Sequence, residues 1–167
     1  MKYFFDTEDD GLAKETSHPN FVKSMKSQFY YDCTDEFSPF GNDDGADLFY
    51  NLEDWYREKK LTRNIVKWMF KQIDEMGFEY KSKGCSEILD LEKLNKIQEE
   101  DEYLISSMDN SIIATGFGQI KITGKIDSKL KDLTIKALDR QMLLDEDDDK
   151  EFFNRLEKMK SDLTNYK

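Results

Sequence analysis

The residues of this chain best suited to chemistry are carboxylates, and they concentrate between Asp32 and Tyr56. That stretch, DCTDEFSPFGNDDGADLFYNLEDWY, holds eight acidic residues and no Lys or Arg. Oxygen-rich loops of this kind bind Ca²⁺ or Mg²⁺, or accept a cationic partner. Ser38-Pro39-Phe40-Gly41 and Asn42-Asp43-Asp44-Gly45 read as turns that would shape the loop. The candidate binding residues are therefore Pro39, Phe40, Asn42, Asp43, Asp44 and Asp47. A standard calcium loop does not fit. With Gly45 as the loop glycine, Phe40 falls on the first ligand position. With Lys150 in the glycine's place, Asp145, Asp147 and Asp149 alternate as required, but Leu156 stands where the closing Glu belongs. A non-standard divalent site on Asp43, Asp44 and Asp47 stays open, beside the plainer reading of a turn leading into a helix N-terminus.

Other chemistries find little material. The single histidine, His18, precedes Pro19 at a helix start and reads as a surface or capping residue rather than a general base. Cys33 lies among carboxylates, whose charge works against a thiolate nucleophile. Cys33 and Cys85 are read as structural or incidental. No CxxC or HExxH spacing suggests zinc, and Gly116–Gly118 is too short for a dinucleotide loop. No catalytic residue, metal ligand set or cofactor is assigned. Phe37, Phe40, Phe49, Tyr50, Trp55 and Tyr56 around the loop are read mainly as core, with a subset available for an acidic, aromatic contact patch. The basic cluster Arg57, Lys59, Lys60 and Arg63 follows directly. It reads as a solvated helix junction or as a neutralising partner for the loop.

Helices must position this loop. Pro19 and Pro39 are the only prolines, so the chain beyond is free of the strongest helix breaker. Ser17 is the expected cap of a first helix with Phe21, Val22 and Met25 on one face. The aromatic run Phe29-Tyr30-Tyr31 is its end or a strand. Asp44 or Asp47 is expected to cap a helix bearing Leu48, Leu52 and Trp55. Thr62 starts the next, with Ile65, Val66, Met69, Phe70, Ile73 and Met76 as its stripe and Gly77 as its stop. Phe78 and Tyr80 alternate briefly, as in a strand. Ser86 is the expected cap of a helix with Ile88, Leu91 and Leu94, and Glu99–Glu102 is a solvated face or a break. Ser107 or Asp109 caps a segment with Ile112, Ile113, Phe117 and Ile120, ended by Gly124. Gly116 and Gly118 inside it predict close packing, or a strand instead. Asp127 caps a helix with Leu130, Leu133, Ala137, Leu138 and Met142. Phe152, Leu156, Met159 and Leu163 mark the last.

Composition bounds the rest. A chain of 167 residues fits one domain and one core. Its 13 % aromatic content argues against disorder despite 37 % charged residues. A net charge of −11 repels phosphate backbones, so nucleic acid is excluded as a general partner and a basic protein favoured. No apolar run approaches the ~20 residues of a membrane span, and the first residues lack the apolar core of a signal peptide. With only two cysteines, the expectation is a cytoplasmic protein.

Two stretches carry a family likeness. SHPNFVKSMKSQFYYDCTDEFSPFGNDDGAD, followed by LFYNLEDWY, resembles bacterial proteins of the YfeS type. Those share a small-His-Pro start, an aromatic pair, a Pro-Phe-Gly-Asn-Asp-Asp-Gly-like loop and a later Trp. IIATGFGQIKITGKIDSKLKDLTIKALDRQ is similar to their C-terminal half. The positions matching the family's motif are Pro39, Phe40, Gly41, Asn42, Asp43, Asp44, Gly45 and Asp47. The resemblance implies no activity, ligand or catalytic residue.

The expectation is a mainly α fold: one compact domain over residues 1–167 with six or seven helices and room for a short β-hairpin or strand. Residues 1–16 form an N-terminal tail or short strand, and residues 145–149 an acidic linker before the C-terminal helix. The expected function is a non-enzymatic, acidic protein-binding or regulatory module, of which an immunity-type protein masking a cationic toxin is one version. The alternative is a divalent-metal-dependent enzyme using the Asp43–Asp47 carboxylates. The oligomeric state is left open.

Overall fold

The computed structural model describes residues 2–58, 64–78, 82–145 and 150–167. Among them lie eight α-helices: α1 Pro19–Ser24, α2 Asp43–Arg57, α3 Ile65–Ile73, α4 Ser82–Cys85, α5 Leu91–Glu100, α6 Leu104–Thr123, α7 Ser128–Leu144 and α8 Lys150–Asn165. The expected six or seven helices become eight, and the described residues contain no strand or hairpin. The unforeseen element is α4, whose four residues are too few to show a period. The aromatic run Phe29-Tyr30-Tyr31 is neither helix end nor strand. It forms a 3₁₀ turn with all three rings buried.

Helix α6 is the axis of the molecule. Most of its residues are buried on every side, as expected of a helix apolar all round. α2 and α7 flank it, α8 packs on α7, and α1, α3 and α5 complete the wrapping. Phe117 is fully enclosed, which is worth about 1.5–3 kcal/mol relative to exposure. Of the two readings of Gly116 and Gly118, close packing holds. A Cβ on Gly116 would lie 2.2 Å from Thr134 Oγ1 of α7. One on Gly118 would lie 2.9 Å from Leu52 and from Phe49 of α2. The two glycines let both neighbours approach, which offsets their cost of about 1 kcal/mol each in a helix interior.

The carbonyls that α6 leaves open at its C-terminus are closed by distant parts of the chain. The His18 amide donates to Lys121 O (2.8 Å) and the Phe4 amide to Ile122 O (3.0 Å). Gly124, left-handed at φ +68°, ends the helix as expected. Its carbonyl accepts from Asn20 Nδ2 (3.2 Å) and Tyr166 Oη (2.8 Å). Residues 2–18 are therefore not a strand but an irregular strap laid across the end of α6.

Several expected helix starts move, each because another side chain offers a better cap. His18, not Ser17, caps α1: its Nδ1 accepts from the Asn20 amide at 3.1 Å, while Ser17 Oγ donates to Ala13 O. The lone histidine is thus the capping residue anticipated. Asp90, not Ser86, caps α5, and Ile88 lies ahead of that helix. Ser86 is buried and donates to Lys83 O. Helix α6 begins at Leu104 rather than at Ser107 or Asp109, with Asp101 Oδ1 accepting from the Leu104 amide. Glu99–Glu102 is accordingly a break. Asp127 caps α7 as expected. Helix α3 stops at Ile73 in a π turn, Asp74–Phe78, with Gly77 at φ +110°. That bend takes Met76 off the apolar stripe and leaves it 37 % exposed. Thr62, Tyr80, Lys59, Lys60, Arg63 and residues 146–149 of the acidic linker lie outside the described residues.

Candidate functional site

The acidic loop is built from its own polar side chains. Asp32 Oδ1 accepts from the Thr34 amide (2.9 Å) and hydroxyl (2.7 Å), and these bonds hold its carboxyl below the usual range. Asp35 Oδ1 accepts from the Phe37 amide, and its Oδ2 meets Arg155 of α8 at 3.0 Å. Phe37 packs on Phe152, with ring centres 5.0 Å apart. Ser38 Oγ donates to Asp32 O and accepts from the Phe40 amide. A Cβ on Gly41 would fall 2.0 Å from Asp35 O, so only glycine fits this turn. The loop is folded on itself and fastened to α8.

The predicted site residues divide. Pro39 and Phe40 are buried, with Phe40 against Phe49 at 4.5 Å between ring centres. Asn42 caps α2 by accepting from the Gly45 amide (2.8 Å), and its Nδ2 donates to Ser38 O (3.3 Å). Neither Asp44 nor Asp47 is the cap. An Asp could not make the second bond, because a carboxylate only accepts. Asp43 and Asp44 occupy the first turn of α2, where the helix dipole favours negative charge. Asp47 looks elsewhere, into a hollow of about 370 Å³ shared with Tyr50, Gln72 and Met76. Among the described residues no three His, Cys, Asp or Glu side chains come together as metal ligands.

One wall of a larger cleft, about 870 Å³, is this loop. Glu36, Phe37, Gly41, Asn42 and Asp43 form it. Gln98 of α5, Ile105, Ser106 and Asn110 of α6, Gln141 and Leu144 of α7, Asp145, and Phe152 of α8 form the rest. The described lining contains no Lys, Arg or His. Glu36, Asp43 and Asp145 make no ion pair with any described residue. Four side-chain amides and four apolar side chains share the surface with them.

Asp109 lies at the inner end of the cleft and is fully buried. Its charge is already answered. Arg140 Nε donates to both carboxylate oxygens at 3.0 Å and Nη2 to Oδ1 at 2.6 Å. Arg140 Nη1 donates to Ser86 O and Ile88 O. Burial pushes the Asp109 carboxyl up from the usual carboxylate range, and the Arg140 guanidinium opposes it. The pair joins α6 to α7 and to the α4–α5 link, and so fixes the far wall of the cleft.

A second buried cluster sits at the other end of α6. Lys121 Nζ, fully enclosed, meets Asp6 Oδ1 (2.6 Å) and Thr16 O (3.3 Å) of the strap. The Asp6 amide donates to Glu53 Oε1 (2.8 Å), and Arg57 bonds Glu53, Asp54 and Asp6 O. Burial raises Glu53. Arg57 thus pairs within its own helix and with the strap, while the rest of its basic cluster lies outside the described residues. Sequence reasoning assigned neither buried pair. Asp109 looked like one more cap, and Lys121 is the only lysine of α6. Cys33 carries an exposed, free thiol.

No helix among the described residues is long and apolar enough to cross a membrane. No protein-family model matches the chain, and no solved structure matches it. A curated protein of Escherichia coli (strain K12), named uncharacterized protein YfeS, is 38 % identical to it over 151 residues. That match takes in 85 % of this chain, and the chain spans 57 % of the relative's length. The chain therefore belongs with YfeS to one bacterial family, the YfeS-like proteins.

Proposed function

We propose that this chain is a non-enzymatic binding module that takes a basic protein partner in the cleft beside its acidic loop. A cytoplasmic location and an immunity-type role, masking a cationic toxin, belong to the same proposal. The observation that carries it is a rim free of any described cation: Glu36 and Asp43 on a loop already fastened by internal bonds, and Asp145 at the end of α7. Unanswered charge on a preformed surface draws opposite charge to it and selects against acidic partners. The net charge of −11 acts in the same direction.

Titration with capped oligoarginine and oligoglutamate peptides tests the reading. The basic peptide should bind and weaken with added salt, and the acidic one should not bind. Changing Glu36→Gln, Asp43→Asn and Asp145→Asn together should weaken binding by about tenfold or more at low salt. Asp47→Asn, which faces the separate hollow, should leave it unchanged. Equal binding by the triple variant, or no preference for the basic peptide, would sink the proposal.

A further inference from the structure

The cleft carries a feature that charge attraction does not require. Asn110 of α6 and Gln141 of α7 lie side by side in its lining, Gln141 Nε2 donating to Asn110 Oδ1 at 2.8 Å. Among the described residues that bond is the only one either side chain makes. The pair is therefore left with the whole NH2 of Asn110, the second N–H of Gln141 and the carbonyl of Gln141. Flipping both amides exchanges the two roles and leaves the same inventory. Gln98, on the neighbouring α5, adds a third side-chain amide with no bond to a described residue.

A donor and an acceptor side by side are the complement of one residue of an extended chain, whose N–H and C=O point to the same side, whereas those of a single trans peptide unit point apart. A polyamine offers donors only. Phe37, Ile105, Leu144 and Phe152 in the same lining suit the aliphatic stems of Lys or Arg. The rim carboxylates suit their heads. The cleft's volume lies in the range of sites that enclose a small ligand, so it suits a few residues rather than a folded face. The far wall holds the amides in place, because Asn110 follows Asp109 and Gln141 follows Arg140 in the buried pair.

We infer that the occupant is an extended segment of basic polypeptide. Asn110 and Gln141 hydrogen-bond the main-chain N–H and C=O of one of its residues, while Glu36, Asp43 and Asp145 take its cationic side chains. This rests on the cationic-partner reading and adds main-chain recognition to it.

Calorimetry with three probes at one ionic strength tests it. The probes are a capped arginine-leucine peptide, the same peptide N-methylated along its backbone, and spermine. Each is titrated into the wild-type chain and into the Asn110→Leu, Gln141→Leu double variant, whose melting curve reports folding. On the wild type, N-methylation should weaken binding by about tenfold or more, and spermine should bind less tightly than the peptide. The double variant should lose the preference for the unmethylated peptide. The inference is overturned if the methylated peptide or spermine matches the peptide on the wild-type chain, or if the double variant keeps the preference. The cationic reading survives those outcomes. If neither peptide nor spermine binds, both readings fall together.

Discussion

Helix α6 carries a buried ion pair at each end, and the two are built differently. Near its N-terminus Asp109 meets Arg140 of α7, a partner 31 residues away, and both side chains are fully enclosed. Near its C-terminus Lys121 meets Asp6 of the strap, 115 residues away, and Asp6 keeps 19 % of its side chain exposed. The first pair binds helix to helix and also holds the carbonyls of Ser86 and Ile88. The second binds helix to an irregular segment that water still reaches. A fully enclosed pair cannot lose one member without stranding a charge, whereas a half-open pair can rehydrate. The cleft is therefore braced at its rigid end, and the strap is the part able to yield.

The largest effect should come from Arg140→Met. It strands Asp109 and two carbonyls and should cost about 3–5 kcal/mol in urea unfolding. Adding Asp109→Leu should recover much of the loss, because apolar residues replace a buried pair well. A double variant no more stable than the single would show that the carbonyl bonds, not the pair, form the brace.

Lys121→Met should cost less, about 1–3 kcal/mol, because Asp6 can turn to solvent. It should also speed protease cleavage within residues 2–18 while leaving the rest intact. A loss as large as that of Arg140→Met would erase the distinction between the two ends.

Asn42→Ala removes the cap of α2 opposite the brace and should cost about 1 kcal/mol. Asp44→Ala and Asp47→Ala, which cap nothing, should each stay within about 0.5 kcal/mol.

The smallest effect tests the strap through pH. Burial lowers the His18 pKa below its ordinary 6.5, and the neutral ring caps α1 through Nδ1. The unfolded chain therefore binds this proton first as pH falls. The cap's contribution, present above pH 6.5, should fade by up to about 1 kcal/mol as pH drops through the lower folded value. His18→Asn, which can cap without titrating, should flatten that portion of the stability curve.

The contrast also explains what the residues disclosed in advance. Apolar stripes were legible wherever a helix has one wet face, as in Leu48–Trp55, Ile65–Ile73 and Leu156–Leu163. Helix α6 has none, so local signals put its start at Ser107 or Asp109 instead of Leu104 and make Asp109 read as one more acidic cap. Its partner lies on another helix, and no local pattern joins the two. The sequence points to Asp44 or Asp47 as the cap of α2, and Asn42, which holds that place, is of an equally good capping type. Only the position of Ser38 O shows why an amide is needed there. The loop was found because its turns are local. The cleft was not, because its walls come from α2, α5, α6, α7, α8 and the loop.

The closure of the α6 end has a consequence in time. Phe4, His18 and Asn20 are made before the carbonyls they cap, but Tyr166 comes 42 residues after Gly124. At a synthesis rate of about 5–20 residues per second, roughly 2–8 seconds separate the two. During that interval α6, with its apolar surface on every side, is complete while α7, which packs on it, and α8, which packs on α7, are still being made. The nascent chain holds this helix without its partners for seconds, and incomplete packing of that kind is what invites misassembly or capture by a chaperone.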